Sequence, residues 1–177
     1  MPVAAVRPAK NEYSPYYEKY IALVPEDHDL LAALERQLQE MMMLVRSISP
    51  EHAMFRYEPG KWSIKEVLGH LIDAERIFAY RALRIARGDR TPIEGFEQDD
   101  YVKPAQFDRR SIASLGIEFE QVRRATISLF RNLDPESWQR RGIASNVEVS
   151  VRAIAYIIAG HELHHRNVLK EKYGLGI

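Results

Sequence analysis

The sequence predicts an all-α fold, two helical hairpins of one plan that together make a four-helix bundle, and three observations carry that prediction. Apolar residues recur at alternating steps of three and four in four separate stretches, the spacing that lines one face of a helix. Capping residues, glycines and prolines punctuate the intervals between those stretches. In the second and fourth stretches histidines fall on the buried face, so the second helix of each hairpin turns histidine into the core.

Taken in order, residues 1–24 read as an N-terminal arm carrying Tyr13, Tyr16, Tyr17 and Tyr20, whose rings would pack onto a single domain formed by residues 25–177. Pro25 followed by Glu26, Asp27 and Asp29 predicts a helix start, with proline in the first turn and acids near the positive end of the dipole. Leu31, Leu34, Leu38, Met41 and Val45 carry that first helix to about Arg46; His28 falls off its seam, and His28 and His52 are expected at the surface. Ser63 with Glu66 makes a capping box, and Trp62 with Val67 a hydrophobic staple, which together start the second helix. Its buried face is wide: Ile64, Leu68, Leu71, Phe78 and Ile85 form one stripe, and Val67, His70, Ala74 and Ile77 the next. Gly88 ends it after Arg84 and Arg87. Residues 88–107 read as a long loop, a candidate lid, whose acids are expected to be solvated. Asp108 can cap a third helix carrying Ile112, Leu115, Phe119, Val122, Thr126 and Leu129, with Arg123 and Arg124 on its surface side. A turn at Asp134-Pro135-Glu136 and a further loop lead to the last helix, expected to begin near Asn146 or Ser150.

That last helix holds Gly160-His161-Glu162-Leu163-His164-His165, three of the six histidines in five residues. His161 and His165 are four apart, so their imidazoles stack on one face, continuing the seam of Ile154 and Ile158. A lone buried histidine is usually satisfied by a local hydrogen bond. Two side by side are costly to bury unless something shared satisfies both, and a metal ion does so. His70, on the buried face of the second helix, is the natural third ligand. Asp73, one turn on, could hold an imidazole from behind or stand in solvent.

The same letters spell His-Glu-x-x-His, with Glu162 as the general base of a zinc peptidase. That mechanism needs a further ligand downstream, a histidine about six residues on or a glutamate about twenty on. Neither follows His165, since Glu171 is too near, so Glu162 is expected beside the metal seam instead.

Twenty-five basic and twenty-five acidic residues cancel, which argues against nucleic acid or an anionic membrane as partner. No signal-like or membrane-length apolar run is present, so a cytoplasmic location is expected. The chain has no cysteine, so any thiol chemistry must use a thiol brought by the substrate.

With these residues assembled, the sequence resembles the DinB/YfiT-like superfamily of metal-dependent enzymes. The resemblance runs from about Tyr20 to the end of the last helix, on Pro59-Gly60-Lys61-Trp62-Ser63 leading into Gly69-His70-Leu71-Ile72-Asp73-Ala74-Glu75-Arg76, and on Gly160-His161-Glu162-Leu163-His164-His165. It implies a four-helix bundle running up, down, down, up, often a homodimer, with one divalent metal held by His70, His161 and His165, and His164 as an additional histidine that is not a ligand. Relatives include transferases and isomerases that use low-molecular-weight thiols such as bacillithiol or mycothiol. The expected function is therefore that of a metal-dependent thiol S-transferase or hydrolase acting on a small molecule. The competing class is a non-catalytic metal or small-ligand binding protein. Three imidazoles suit zinc, nickel or iron and leave coordination positions open, where a bound water's pKa could fall to about 7.

Overall fold

Four long helices carry the computed structural model, which describes residues 6–25 and 29–176. They are α2 (Leu30–Ser47), α3 (Ile64–Ala86), α5 (Ile112–Arg131) and α7 (Val151–Tyr173). Between them lie the short helices α1 (Glu18–Ile21), α4 (Gln98–Ala105) and α6 (Pro135–Gln139) and the two strands β1 (Arg141–Ala144) and β2 (Val147–Ser150). Among the described residues no helix is long and apolar enough to cross a membrane.

Side-chain pairings fix the directions. Gln37 meets Ala159 and Glu40 meets Arg166, so α2 and α7 run parallel. Lys65 meets Asp108 and Arg76 meets Glu118, so α3 and α5 run parallel too. Trp62 lies against Tyr173 while His70 lies against His161, and Glu35 pairs with Arg131 while Val45 packs on Gly116; each of these two helix pairs is therefore antiparallel. The chain runs up, down, down, up, and α2 and α3 each pack against both α5 and α7.

The capping box at Ser63 and Glu66 forms as expected, and Gly88 adopts the left-handed conformation just past the end of α3. Other expectations need correction. The first helix begins at Leu30, with Asp29 accepting from the backbone of Leu31 and Ala32, and not at Pro25. Glu26, Asp27 and His28 lie outside the described residues. The third helix is capped by Ser111, because the Asp108 carboxylate is already taken by Ser63 Oγ at 2.5 Å and Arg56 Nη2 at 2.6 Å. The stretch expected as a loop over residues 88–107 contains α4, and the loop expected after the turn at Asp134 contains the hairpin of β1 and β2, turning on Ser145 and Asn146, both at positive φ. Ile93 pairs with the outer side of β1, donating to the Ile143 carbonyl at 2.9 Å and accepting from Ser145 at 2.9 Å. The candidate lid is thus pinned at one end.

Two apolar clusters fill the bundle. One joins the arm, the start of α2, the end of α3 and the first half of α7; the other joins the end of α2, the starts of α3 and α5 and the end of α7. Tyr13, Ile21 and Val24 of the arm belong to the first, so the arm shares the core. Tyr20 is buried and Tyr17 packs edge-on against Phe78, but Tyr16 is exposed. Between the clusters runs a polar layer at mid-height, contributed by all four long helices: Gln37, His70, Glu75, Arg123, His161 and Glu162, every one of them buried.

Candidate metal centre

The polar layer has two halves, and the first holds the bundle together. Arg123, expected at the surface, has no exposure at all. Its Nε and Nη2 donate to the Glu75 carboxylate at 2.8 and 2.9 Å, and its Nη1 donates to Gln37 Oε1 at 3.2 Å. Gln37 Nε2 in turn donates to the Ala159 carbonyl at 3.1 Å. A charge on α5 is thereby tied through α3 and α2 to the backbone of α7, two residues before His161. The bidentate geometry and the additional acceptors are what allow such a pair to be buried.

The second half gathers the histidines. His70 Nε2 lies 3.1 Å from His161 Nε2, which lies 3.2 Å from His165 Nε2. One nitrogen from each of the three comes within 4.8 Å of the other two. His161 Nε2 has either one lone pair or one N–H, so it cannot satisfy both neighbours at once. A metal ion can take a lone pair from each. Tetrahedral sites with bonds of about 2.0–2.1 Å separate their nitrogens by roughly 3.3–3.4 Å, close to the two shorter separations here. Burial pushes the His70 imidazole down to about 4. Burial, reinforced by the neighbouring imidazoles, holds His161 and His165 well below the usual histidine range. All three are neutral at pH 7, the state in which imidazole is a ligand.

Aromatic rings enclose the cluster. Tyr20 and Phe78 meet His161 edge-on at 5.2 and 5.9 Å between centroids, and Trp62 lies 4.9 Å from His70. Tyr20 reaches this position because Gly160 has no side chain: a Cβ there would collide with the Tyr20 carbonyl. His164 packs against Tyr20 and His165 without joining the nitrogen cluster, and His52 lies against Phe55. A cavity of about 660 Å³ opens beside His70 and His161 and is walled by the arm, α3, residues 95–99 and the hairpin.

Asp73 and Glu162 stand elsewhere. The Asp73 carboxylate lies 3.6 Å from Arg76, toward the Glu118 side of α3, and burial pushes it up against the pull of that arginine. Glu162 is almost wholly buried, its oxygens accept no hydrogen bond among the described residues, and it lines the interior, not the cavity. Burial pushes its carboxyl up to about 7, opposed by the charges of Arg123 and Arg166. Gln37, Glu75 and Arg123, whose hydrogen bonds join the four helices behind His161, were not singled out from the sequence. The signal was present for Arg123, which falls on the seam Phe119, Arg123, Thr126, Phe130.

Comparison with known proteins agrees with this architecture. The curated protein Putative metal-dependent hydrolase OB0413 of Oceanobacillus iheyensis is 25% identical over 145 residues, covering 80% of this chain and 82% of that one. Among solved structures, YfiT from Bacillus subtilis, described as a "probable metal-dependent hydrolase with an unusual four-helix bundle topology", superposes with a TM-score of 0.71 at 14% identity, covering 96% of this chain and 94% of that one. The DinB superfamily model matches residues 33–169, from α2 to the last turns of α7 and so across the whole histidine cluster, and the chain belongs to that superfamily.

Proposed function

We propose that this protein is a metal-dependent enzyme of the hydrolase or thiol S-transferase type, with one divalent ion on His70, His161 and His165 and a small-molecule substrate in the adjoining cavity. The observation that carries this reading is the convergence of three largely buried imidazole nitrogens that cannot satisfy one another. The descriptions of the two relatives, each as a metal-dependent hydrolase, favour the metal and the hydrolase form of this reading. When bound, zinc, nickel or iron would supply a Lewis acid that lowers the pKa of a water or thiol. The chain supplies the surroundings. Tyr20, Trp62 and Phe78 pack around His70 and His161, and a cavity of about 660 Å³ suits a small molecule and not a folded protein.

The transferase form needs an external thiol, since the chain has no cysteine. A non-catalytic binding protein is the competing reading, favoured by the direction of Glu162: the carboxylate next to His161 in sequence faces the bundle interior, away from the cavity. Protein loaded with each metal, assayed on ester and amide panels with and without bacillithiol, mycothiol and simple thiols, separates the three. Turnover without thiol identifies a hydrolase, turnover that requires thiol a transferase, and stoichiometric metal without turnover a binding protein. The reading also includes a homodimer, to which the exposed Tyr16 of the arm lends support, and a cytoplasmic location; a monomeric mass by light scattering would sink the dimer.

A further inference from the structure

The metal reading leaves one group of the cavity unused. Arg81 lines it and is only 3% exposed, yet among the described residues its guanidinium forms no ion pair. Its partners are neutral. Nη2 donates to the Glu94 carbonyl at 2.8 Å and to Ser145 Oγ at 3.0 Å, the Tyr17 hydroxyl lies beside it, and the enclosed Nε has no hydrogen-bond acceptor among the described residues. The rings of Phe78 and Phe96 flank it at 5.8 Å each. Arg123, equally deep, is neutralised by Glu75, which is the ordinary condition for a buried guanidinium. The acids nearest the cavity, Glu97 and Asp99, are exposed and not paired with Arg81.

A buried guanidinium that lines a cavity and, among the described residues, has no ion-pair partner can donate to a carboxylate or phosphate oxygen there. We propose that Arg81 binds the carboxylate or phosphate end of an elongated, otherwise apolar small molecule whose other end reaches the histidine cluster. The walls between the two ends fit such a molecule. His70, Ala74, Phe78 and Arg81 follow one another along one stripe of α3, so about 16 Å of helix separates the first Cα from the last. Tyr17, Phe96 and Val147 add to the apolar side of the cavity between them, and Ser14, Gln98 and Ser145 make its polar side. The inference deepens the proposed function, since it takes the same cavity as the substrate site and names the substrate's class.

The alternative is that Arg81 merely latches residues 93–96 to the hairpin through Glu94 and Ser145. Titration of metal-free protein with n-octanoate, n-octyl phosphate and n-octanol, followed by amide chemical shifts, distinguishes the two. One or both anions should bind at least about tenfold more tightly than the alcohol, with shifts at Phe78, Phe96 and Ser145. Preference for octanoate identifies a carboxylate ligand and preference for octyl phosphate a phosphate, and either supports the assignment. Arg81→Gln should abolish the preference while leaving octanol affinity within about twofold; Arg81→Lys should keep part of it. Octanol binding as tightly as both anions to the wild type would overturn the proposal even if the glutamine variant failed to fold. So would a preference that persists in a folded Arg81→Gln. Because no metal is present, the outcome is separable from the proposed function: absent metal binding sinks that reading, and an absent oxyanion preference sinks this one.

Discussion

Replacing Gly160 by alanine tests the packing that places the aromatic arm on the metal site, and the sign of the effect decides the matter. Within a helix, alanine is favoured over glycine by about 1 kcal/mol, so at a position with room the variant would be more stable than the parent. Gly160 has no room. A Cβ built there meets the carbonyl oxygen and carbon of Tyr20, which are backbone atoms and cannot swing aside as a side chain could. Either α1 must lift from α7 or α7 must shift, and forced overpacking of this kind costs about 1–3 kcal/mol. Subtracting the helix gain leaves a net loss of up to about 2 kcal/mol, which in a chain of this length lowers the melting temperature by as much as about 4–8 °C. Calorimetry in chelator, which removes any contribution from metal, measures it. A second readout follows from the Tyr20 ring, which lies against His161 and His164 and should move with its backbone, changing the His161 ring shifts. A melting temperature above that of the parent, the result expected at a helix position with room, would refute the close approach.

Arg123→Ala leaves the Glu75 carboxylate buried without its partner and should cost about 3–5 kcal/mol in urea denaturation, whereas Arg124→Ala, which removes an exposed pair with Glu120, should cost no more than about 1 kcal/mol. Burial pushes the Glu12 carboxyl up, but hydrogen bonds from Arg152, the Ala9 backbone and Ser150 outweigh it and hold the folded-state value below the ordinary 4.5. Its contribution is therefore complete above pH 4.5 and is lost as pH falls through the depressed folded value, so Glu12→Gln should flatten the fall in stability between about pH 5 and 3; an unchanged slope would contradict the arrangement. Glu162→Gln should retain stoichiometric metal, and the wild type should not cleave casein; proteolysis that vanishes in this variant with metal retained would restore the peptidase reading.

The four long helices and the histidine cluster were legible because local signals set them. A capping box, a left-handed glycine and seams of period three to four act within a few turns, and His70, His161 and His165 fall on those seams. What escaped depends on distance or brevity. A helix of eight residues with Pro104 in its last turn has almost no periodicity, and two strands of four residues joined by Ser145-Asn146 lack the Asn-Gly signature of a tight hairpin. Asp108 and Ser111 are equally able to cap a helix; Arg56 and Ser63, supplied by another part of the chain, take the first and leave the second. Arg123 sat visibly on an apolar seam, but an arginine is admitted there only by Glu75, forty-eight residues away, and by Gln37 on a third helix. The empty face of Gly160 is likewise meaningful only once Tyr20 lies on it.

Metal content of single histidine variants tests the central claim most directly. Elemental analysis after dialysis should find about one divalent ion per wild-type chain. His70→Ala, His161→Ala and His165→Ala should hold almost none, and His52→Ala and His164→Ala should match the wild type. An ion bound to the folded chain alone adds about 4 kcal/mol at a thousandfold excess over its dissociation constant, so chelator should lower the melting temperature of the wild type and of the last two variants but not of the first three. Full metal in His70→Ala, or loss in His164→Ala with retention in His165→Ala, would contradict the assignment of the three ligands.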